Sequence, residues 1–552
     1  LAAFAAAAAV FAAAGSASGE IAPPPTPSPA VADATPGALA STPILCSEPP
    51  GPVALGSAQW NGWGGGVENT RYQPEPAIRA TDVSRLALKW AFGYPGASTV
   101  SGQPTIVDGR VFVADAGQVY ALDARSGCTY WRYDLDGHAF SPIAIAELGA
   151  PREIAKPKKS KRGHIDAHLE ILKPPSAALV GDDKGALYAL DAEHGTLLWK
   201  TQIESQATAR ILGAPAVHQN RVYVAVGSSE SVAARNATAS CCIFRGSVAA
   251  LDVATGRVIW KTYLVAEEPR PVAGAGGVPQ FGPAGDAVRG APTLDIARGL
   301  AYVATGDSFN PALQPTADAV VALDLVDGKI RWSKQPQPPA SESGSGDNPA
   351  REFGSPPILR TLTSGRQILL AGQRSGMVYG LDPERSGELL WEFKASGSKA
   401  SGGVESGLAA DHRSVYAAIS GSSAEPANPG GSLVAIDMKS GAKRWETAAP
   451  AAACSWSGAC THGQAQAVTV IPGAAFSGSM DGHLRAYSTI DGKILWDYDT
   501  AKDFPTVNRV NASGGSLDQG GATIVNGVVY VNSGSDRGRP GNVLLAFSVD
   551  GK

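Results

Sequence analysis

The residues of this sequence whose spacing is most unusual for chemistry are Cys241 and Cys242, which are adjacent. A bridge between chain neighbours closes a small ring through a distorted peptide, and backbone states of that type gather at functional sites. Two buried thiols, or two bridges to other cysteines, are the plainer readings of the same pair. Six cysteines in all fit an oxidising compartment. Cys454 and Cys460 are near enough to pair within one loop. Cys46 and Cys128 are left over, and spacing does not decide whether they join. No Cys-x-x-Cys-His run occurs, so the chain has no attachment motif for a c-type haem. No grouping of nucleophile, His and acid points to hydrolysis.

The elements that must position these residues are written in a repeat. Ala121-Leu122-Asp123, Gly127 and Trp131 return as Ala189-Leu190-Asp191, Gly195 and Trp199, then as Ala250-Leu251-Asp252, Gly256 and Trp260. Further copies end at Trp332, Trp391, Trp445 and Trp496. A β-rich run such as Arg110-Val111-Phe112-Val113-Ala114 precedes each copy, which predicts short antiparallel strands. Asp and Gly bracket a tight turn, because Asp bonds nearby backbone and Gly accepts positive φ. The Trp then opens the next strand and packs between neighbouring sheets. The separation between motif tryptophans runs from 51 residues (Trp445 to Trp496) to 72 (Trp260 to Trp332). That suits four-stranded blades arranged radially, an all-β β-propeller.

The ends set the count. The last copy, Asn542 to Phe547, stops before its Trp, while Leu86 to Phe92 is a Trp strand with no Ala-Leu-Asp ahead of it. We expect this N-terminal strand to complete the final blade and so remove an open edge. Trp90 and the seven motif tryptophans then predict eight four-stranded antiparallel blades.

The propeller is expected over 51–552, with a solvated loop insertion at about 149–176 that holds the basic run Lys156 to Arg162. A docking patch for an acidic partner is the sharper reading of that run. Residues 1–19 read as the remnant of a secretory signal peptide and 20–50 as a Pro/Ala-rich linker. No stretch of the sequence reads as a transmembrane segment. These features place the mature protein in the periplasm or outside the cell. Net charge is −4 and the pI is about 6.1, which gives no sign of nucleic-acid binding. Composition says nothing of the oligomeric state.

The stretches between the repeats carry a resemblance. They include Trp60-Asn61-Gly62-Trp63-Gly64, Asn69-Thr70-Arg71-Tyr72, and Cys241-Cys242-Ile243-Phe244-Arg245-Gly246-Ser247. Ala304-Thr305-Gly306-Asp307, Gly372-Gln373-Arg374-Ser375-Gly376 and Phe476-Ser477-Gly478-Ser479 continue the set. Across nearly the whole propeller the chain resembles the pyrroloquinoline quinone (PQQ) dehydrogenases, in particular their polyvinyl alcohol dehydrogenase branch. The resemblance implies PQQ near the propeller axis and a Ca²⁺ that polarises its carbonyl. It implies a carboxylate that takes the alcohol proton as hydride moves to the quinone, and a separate cytochrome c as electron acceptor. The alcohol group would be secondary, on a polyvinyl alcohol-like polymer or a related molecule.

The same resemblance assigns roles by position. Glu230 and Asp307 match metal ligands, and hard carboxylate oxygens suit Ca²⁺. Arg374 matches a residue that contacts the quinone oxygens. Cys241 and Cys242 would offer a flat disulfide to one ring face, with Arg245 in the cofactor region. Arg289 stands where related chains carry a stacking Trp, and it can stack its guanidinium or pair with a cofactor carboxylate. Phe281, Ser406 and Gln206 are further departures. The acid motif is altered to Ala350-Arg351-Glu352-Phe353-Gly354, so Glu352 is the first candidate for the base and Asp347 the second. These departures motivate the alternative of a non-catalytic extracytoplasmic propeller that serves binding or assembly.

Overall fold

Alternating apolar runs separated by Asp-Gly turns build eight successive sheets, each with an antiparallel path of four strands. The computed structural model describes residues 44–552 except 57–58, 101, 116, 150–151, 160–164, 173, 235, 237–238, 273–277, 310–313, 338–350, 396–402, 422–430, 451–453, 455 and 457–460. For 152–159 and 165–172 it describes the backbone alone. The expected leader and most of the expected linker therefore lie outside the described residues. No helix among the described residues is long and apolar enough to cross a membrane.

The first blade runs Thr105–Val107, Arg110–Asp115, Gln118–Asp123, Thr129–Asp134. Its second strand is buried throughout, whereas outer strands such as Leu197–Gln202 expose alternate positions. Inner strands are covered on both faces by neighbouring blades; outer ones meet water and carry Lys, Arg and Asp, which blunt the edge. The eighth blade closes the ring as expected. Leu86–Gly93 pairs with Val543–Val549 in a register from Leu86↔Val549 to Gly93↔Val543.

The repeat is the joint between blades. Each motif aspartate folds a turn, as Asp191 does by accepting from the backbone N–H of Glu193 and of His194, both at 2.8 Å. The preceding blade's Trp then lies on the turn's glycine. Gly195 has φ +73°, and a Cβ there would stand 2.5 Å from the Trp131 ring. The indole N–H of Trp131 donates to the Ala192 carbonyl at 3.1 Å, and Trp199, Trp391 and Trp445 repeat this at Val253, Met438 and Thr489. Around the closure, Trp496 donates to Leu86 at 3.0 Å and Trp90 to Ala124 at 3.2 Å.

The motif Trp60 to Tyr72, noted only for its resemblance, turns out to run along the innermost strands of the blades. Trp60 bridges Ile106, Asn61 donates to Ile145 O, Val67 O accepts from Leu294, and Glu68 O from Leu359. Thr70 O accepts from Ala410, Tyr72 bridges Val470, and Gln73 donates to Ile524 O. Arg71 is fully buried: it donates to Val468 O, Trp63 O and Thr469 Oγ1 and lies over the Trp63 ring. Burial pushes its guanidinium down to about 9. Chain thus fills the axis where an open channel would otherwise run.

Two other segments differ from expectation. The insertion is a β-hairpin of Arg152–Lys159 with Ile165–Leu172, not a plain loop. The period-two pattern Ile165, Ala167, Leu169, Ile171 accounts for it. The last part of the expected linker lies on the first blade: Cys46 is joined to Cys128, and its N–H donates to Thr129 O at 3.0 Å. Cys454 is also disulfide-bonded, while its expected partner Cys460 lies outside the described residues.

Candidate functional site

Antiparallel pairing puts two kinds of connection at one end of every blade: the turn after the second strand and the lead-in to the first. Glu230, Asp307, Arg374 and Arg537 follow the second strands ending at Ser228, Ala304, Gly372 and Ser533. Glu352, Glu405 and Asp518 precede the first strands Ile358–Thr361, Ala409–Ala410 and Thr523–Val525. All seven therefore gather at the end opposite the Asp-Gly turns. The axial segment forms a floor there, since Trp63 and Arg71 fill the space a side chain at Gly407 would need.

Glu230 opens the short helix Glu230–Ala234 and is buried. Its carboxylate accepts from Phe244 N at 2.7 Å, Ile243 N at 3.0 Å and Gln206 Nε2 at 3.4 Å. Cys241 and Cys242 are joined by a disulfide, and their sulfurs lie with the Glu230 carboxylate in one buried group. The pair packs on Ala284, with Phe309 beside it.

A backbone strip links this group to a cluster of acids. Phe281 N donates to Cys241 O at 2.7 Å, and Gly285 N to Phe244 O at 2.8 Å. On the strip's other side Phe309 N donates to Ala284 O at 2.8 Å and Asp286 N to Asp307 O at 3.0 Å. Gly306 is the hub: its N–H donates to Ala287 O at 2.9 Å, its carbonyl accepts from Asp318 N at 3.0 Å, and a Cβ on it would stand 3.4 Å from Glu352 Oε2. Burial, with Asp307 close by, pushes the Asp318 carboxyl up to about 9. Burial pushes Asp286 up to about 7, against a smaller opposing pull from the Thr316 hydroxyl. Asp286 is fully buried and neither of its carboxylate oxygens has a hydrogen-bond partner; the nearby Thr316 hydroxyl donates to Leu264 O at 3.0 Å instead.

From Glu352 a chain of ion pairs crosses the ring. Arg374 Nη1 donates to Glu352 Oε1, and Arg374 Nη2 lies 3.6 Å from Glu405 Oε1. Arg537 donates to Glu405 Oε2 at 2.5 Å and to Asp518 Oδ2 at 2.9 Å, where Ser535 donates as well. Burial would raise the Glu405 carboxyl, but Arg374 and Arg537 together hold it below its ordinary value.

The structure thus brings Glu352, Arg374 and Asp307 together, and ties Glu230, Cys241 and Cys242 into a second group joined by the strip. Arg289 reaches this group, donating to Ser231 Oγ at 3.2 Å. Arg245 does not point its guanidinium there: it lies over the Tyr263 ring at 3.9 Å and donates to Ala266 O at 3.3 Å. Asp347 lies outside the described residues. A cleft of about 550 Å³ lined by Phe504, Arg509 and Asn542 holds none of these residues. Nor does one of about 160 Å³ lined by Trp63, Ala214 and Pro292. Sequence reasoning missed Asp286, Asp318, Glu405, Asp518 and Arg537. Only Glu405 had a signal, its place beside Gly403-Val404; the others meet across blades with no fixed spacing.

The family profile described as glucose/ethanol/alcohol dehydrogenase, beta-propeller domain, matches residues 60–337. A profile described as outer membrane protein assembly factor BamB matches 244–455 and 374–546. A polyvinylalcohol dehydrogenase from Pseudomonas sp. is 41% identical over 519 residues, which cover 90% of this chain and 77% of that protein. A polyvinylalcohol dehydrogenase from Sphingopyxis sp. (strain 113P3) is 39% identical over 540 residues, 92% of this chain and 79% of that one. Among solved structures, a quinohemoprotein alcohol dehydrogenase from Pseudomonas putida shares the fold with a TM-score of 0.66 at 18% identity, over 92% of this chain and 83% of that one.

Proposed function

Because this chain belongs to the PQQ alcohol dehydrogenase β-propeller family, we propose that it is a quinoprotein that oxidises secondary alcohol groups with PQQ and Ca²⁺. Its substrate is a polyvinyl alcohol-like polymer or a related alcohol, its electrons pass to a separate cytochrome c, and it works in the periplasm or outside the cell. The observation that carries this reading is the Arg374–Glu352 pair beside the acids around Gly306.

The residues fit the groups the family implies. Asp307, Asp318 and Glu352 bring hard carboxylate oxygens to the turn around Gly306, the donor type that suits Ca²⁺. Glu230 stands nearby with its hydrogen bonds already made. Arg374 and Arg289 supply positive charge to an anionic quinone, and the Cys241–Cys242 disulfide a flat apolar surface. The chemistry a bound PQQ and Ca²⁺ supply is hydride acceptance and carbonyl polarisation. This chain's part is to place a base and hold its charge. Glu352 takes the alcohol proton. Arg374 fixes the direction of that carboxylate through Oε1, and Oε2 stands against Gly306. Glu405 and Arg537 keep Arg374 from turning away.

The test is reconstitution with PQQ and Ca²⁺, desalting, then dye-linked oxidation of polyvinyl alcohol and of small secondary alcohols. Quinone absorbance that survives desalting, with dye reduced, supports the reading. Loss of both sinks it in favour of a second reading, a propeller that binds or assembles without catalysis. That reading draws on Arg289 in the stacking position and on the match to the assembly-factor profile. Reduction of cytochrome c in the same assay tests the acceptor.

A further inference from the structure

We propose that the cleft of about 550 Å³ beside the outer strand of the eighth blade is a second binding subsite for a neutral polyhydroxylated chain, holding one stretch of the substrate polymer while another stretch enters the candidate site. The proposal rests on the quinoprotein reading for the polymer, and on the structure for the cleft.

The cleft is built from the lead-in to the eighth blade. After the outer strand of the seventh blade, Ile494–Asp499, the chain turns into the short pair Asp503–Phe504 and Ala512–Ser513. Asn508 clamps this loop to the end of the closing strand: its Oδ1 accepts from Gly93 N at 3.0 Å and its Nδ2 donates to Gly93 O at 2.7 Å. Thr506 Oγ1 donates to Val510 O at 2.7 Å and closes the loop on itself. Asn542, from the turn after the second strand, supplies another wall. Its Oδ1 accepts from Ser513 N at 3.1 Å and its Nδ2 donates to Asn511 O at 3.2 Å. The cleft is therefore formed before any ligand arrives.

The same two segments lead to the candidate site. Asn542 N donates to Ser513 O at 2.9 Å, Ser516 N to Arg539 O at 2.9 Å, and Arg539 N to Ser516 Oγ at 2.8 Å. Further along, Ser535 and Arg537 both donate to Asp518 Oδ2. The segments are thus zipped from the cleft to the Arg537–Glu405 ion pair. Asp518 is five residues from Ser513, and Arg537 five from Asn542, so the two ends stand at most about 18 Å apart. A polymer chain reaches across that span and a small alcohol does not.

The lining suits a neutral polyol. Phe504 and Val510 give it apolar surface. Asp503, Arg509 and Asn511 line it too, and their exposed side chains make no hydrogen bond or ion pair among the described residues. One acid and one base leave the lining without net charge to select an ion. Donors and acceptors beside apolar walls match a chain whose hydroxyls alternate with methylene groups. A second contact on such a chain raises the local concentration of its other alcohols at the site.

The test compares wild type with Asn511→Trp, which fills the cleft, and with the double variant Arg509→Gly and Asn511→Ala, which removes free polar groups. Both positions are exposed, Arg509 has φ +58°, which glycine accepts, and thermal melting shows that each variant folds. Calorimetry measures polyvinyl alcohol binding to the PQQ-free full chain. Dye-linked assays of the reconstituted protein give KM for polyvinyl alcohol and for 2-butanol. Both variants are expected to bind polyvinyl alcohol at least about tenfold more weakly, with a matching rise in its KM, on the low side of what a linked second contact provides. Kinetics with 2-butanol should stay as in wild type. Unchanged polymer binding in both variants overturns the proposal, as does an equal loss with both substrates. A wild type that turns over with PQQ and yet binds no polymer without it overturns the subsite and leaves the quinoprotein reading intact. Weakened polymer binding in a protein that retains no PQQ supports the subsite while the quinoprotein reading falls.

Discussion

Glu405 and Arg537 meet at 2.5 Å, although they come from lead-ins and turns of blades 132 residues apart in sequence. Arg374 faces the other oxygen of the same carboxylate at 3.6 Å. One anion therefore steadies two arginines, and through Arg374 it steadies Glu352.

Glu405→Gln should lower turnover because it frees Arg374 without touching Glu352. A hydrogen bond to a charged group contributes about 1.5–3 kcal/mol, so dye-linked kcat is expected to fall roughly tenfold to a hundredfold. KM should move less, as it would for a positioning residue. Arg537→Met should give the same pattern; equal losses in kcat and in melting temperature across unrelated surface variants would mark a purely structural role instead.

Glu352→Gln keeps the shape of the side chain and removes the base. Turnover is expected to fall by about 10²–10⁴-fold, while PQQ absorbance survives desalting. Activity within a few-fold of wild type would move the base elsewhere.

Gly195→Ala tests the joint between blades. The alanine meets both a left-handed backbone at φ +73° and the Trp131 ring 2.5 Å away. The expected loss is about 2–4 kcal/mol from the two effects together, read as a lower urea midpoint. Gly299→Ala, with φ +67° and open space around its Cβ, is the control for the backbone effect alone and should lose less.

The His483–Asp497 pair, 2.6 Å apart, gives stability a pH dependence. The hydrogen bond to Asp497 holds the imidazole above its ordinary 6.5, so its contribution is full below pH 6.5 and fades as pH rises through the folded value. Burial would raise the Asp497 carboxyl, but His483 and Arg485 hold it below its ordinary 3.8. That contribution is present above 3.8 and fades as pH falls through the folded value. The pair is therefore strongest between these limits. Asp497→Asn should lower the urea midpoint more at pH 5 than at pH 9; an equal or reversed difference would show that the pair is not coupled as the structure has it.

The scaffold was legible early because its information is local. Ala189, Leu190, Asp191, Gly195 and Trp199 form a turn and its outer strand within eleven positions, and the same few contacts recur in blade after blade. The closure was legible for a related reason. A Trp strand without its turn and a turn without its Trp strand leave one way to finish the ring. The hairpin at Arg152–Lys159 and Ile165–Leu172 was passed over because its basic run outweighed its weaker alternation.

The candidate site was legible only in part. Residue types and resemblance marked Glu230, Cys241, Cys242, Asp307, Glu352 and Arg374, yet gave no account of which would touch. Asp286 looked like any loop aspartate until the fold buried it without a partner beside Asp307. Arg245, expected near the cofactor, went to the Tyr263 ring because a guanidinium over an aromatic face was available on its own blade.

What the chain determines by itself is the blade, its turn, its number and its closure, because hydrophobic period and turn chemistry act over a few residues. Only the tertiary structure decides the site. Ring closure carries the turns and lead-ins of several blades to one end, where charges far apart in sequence come within hydrogen-bond reach. Burial there, not residue type, separates the carboxylates with partners from those without.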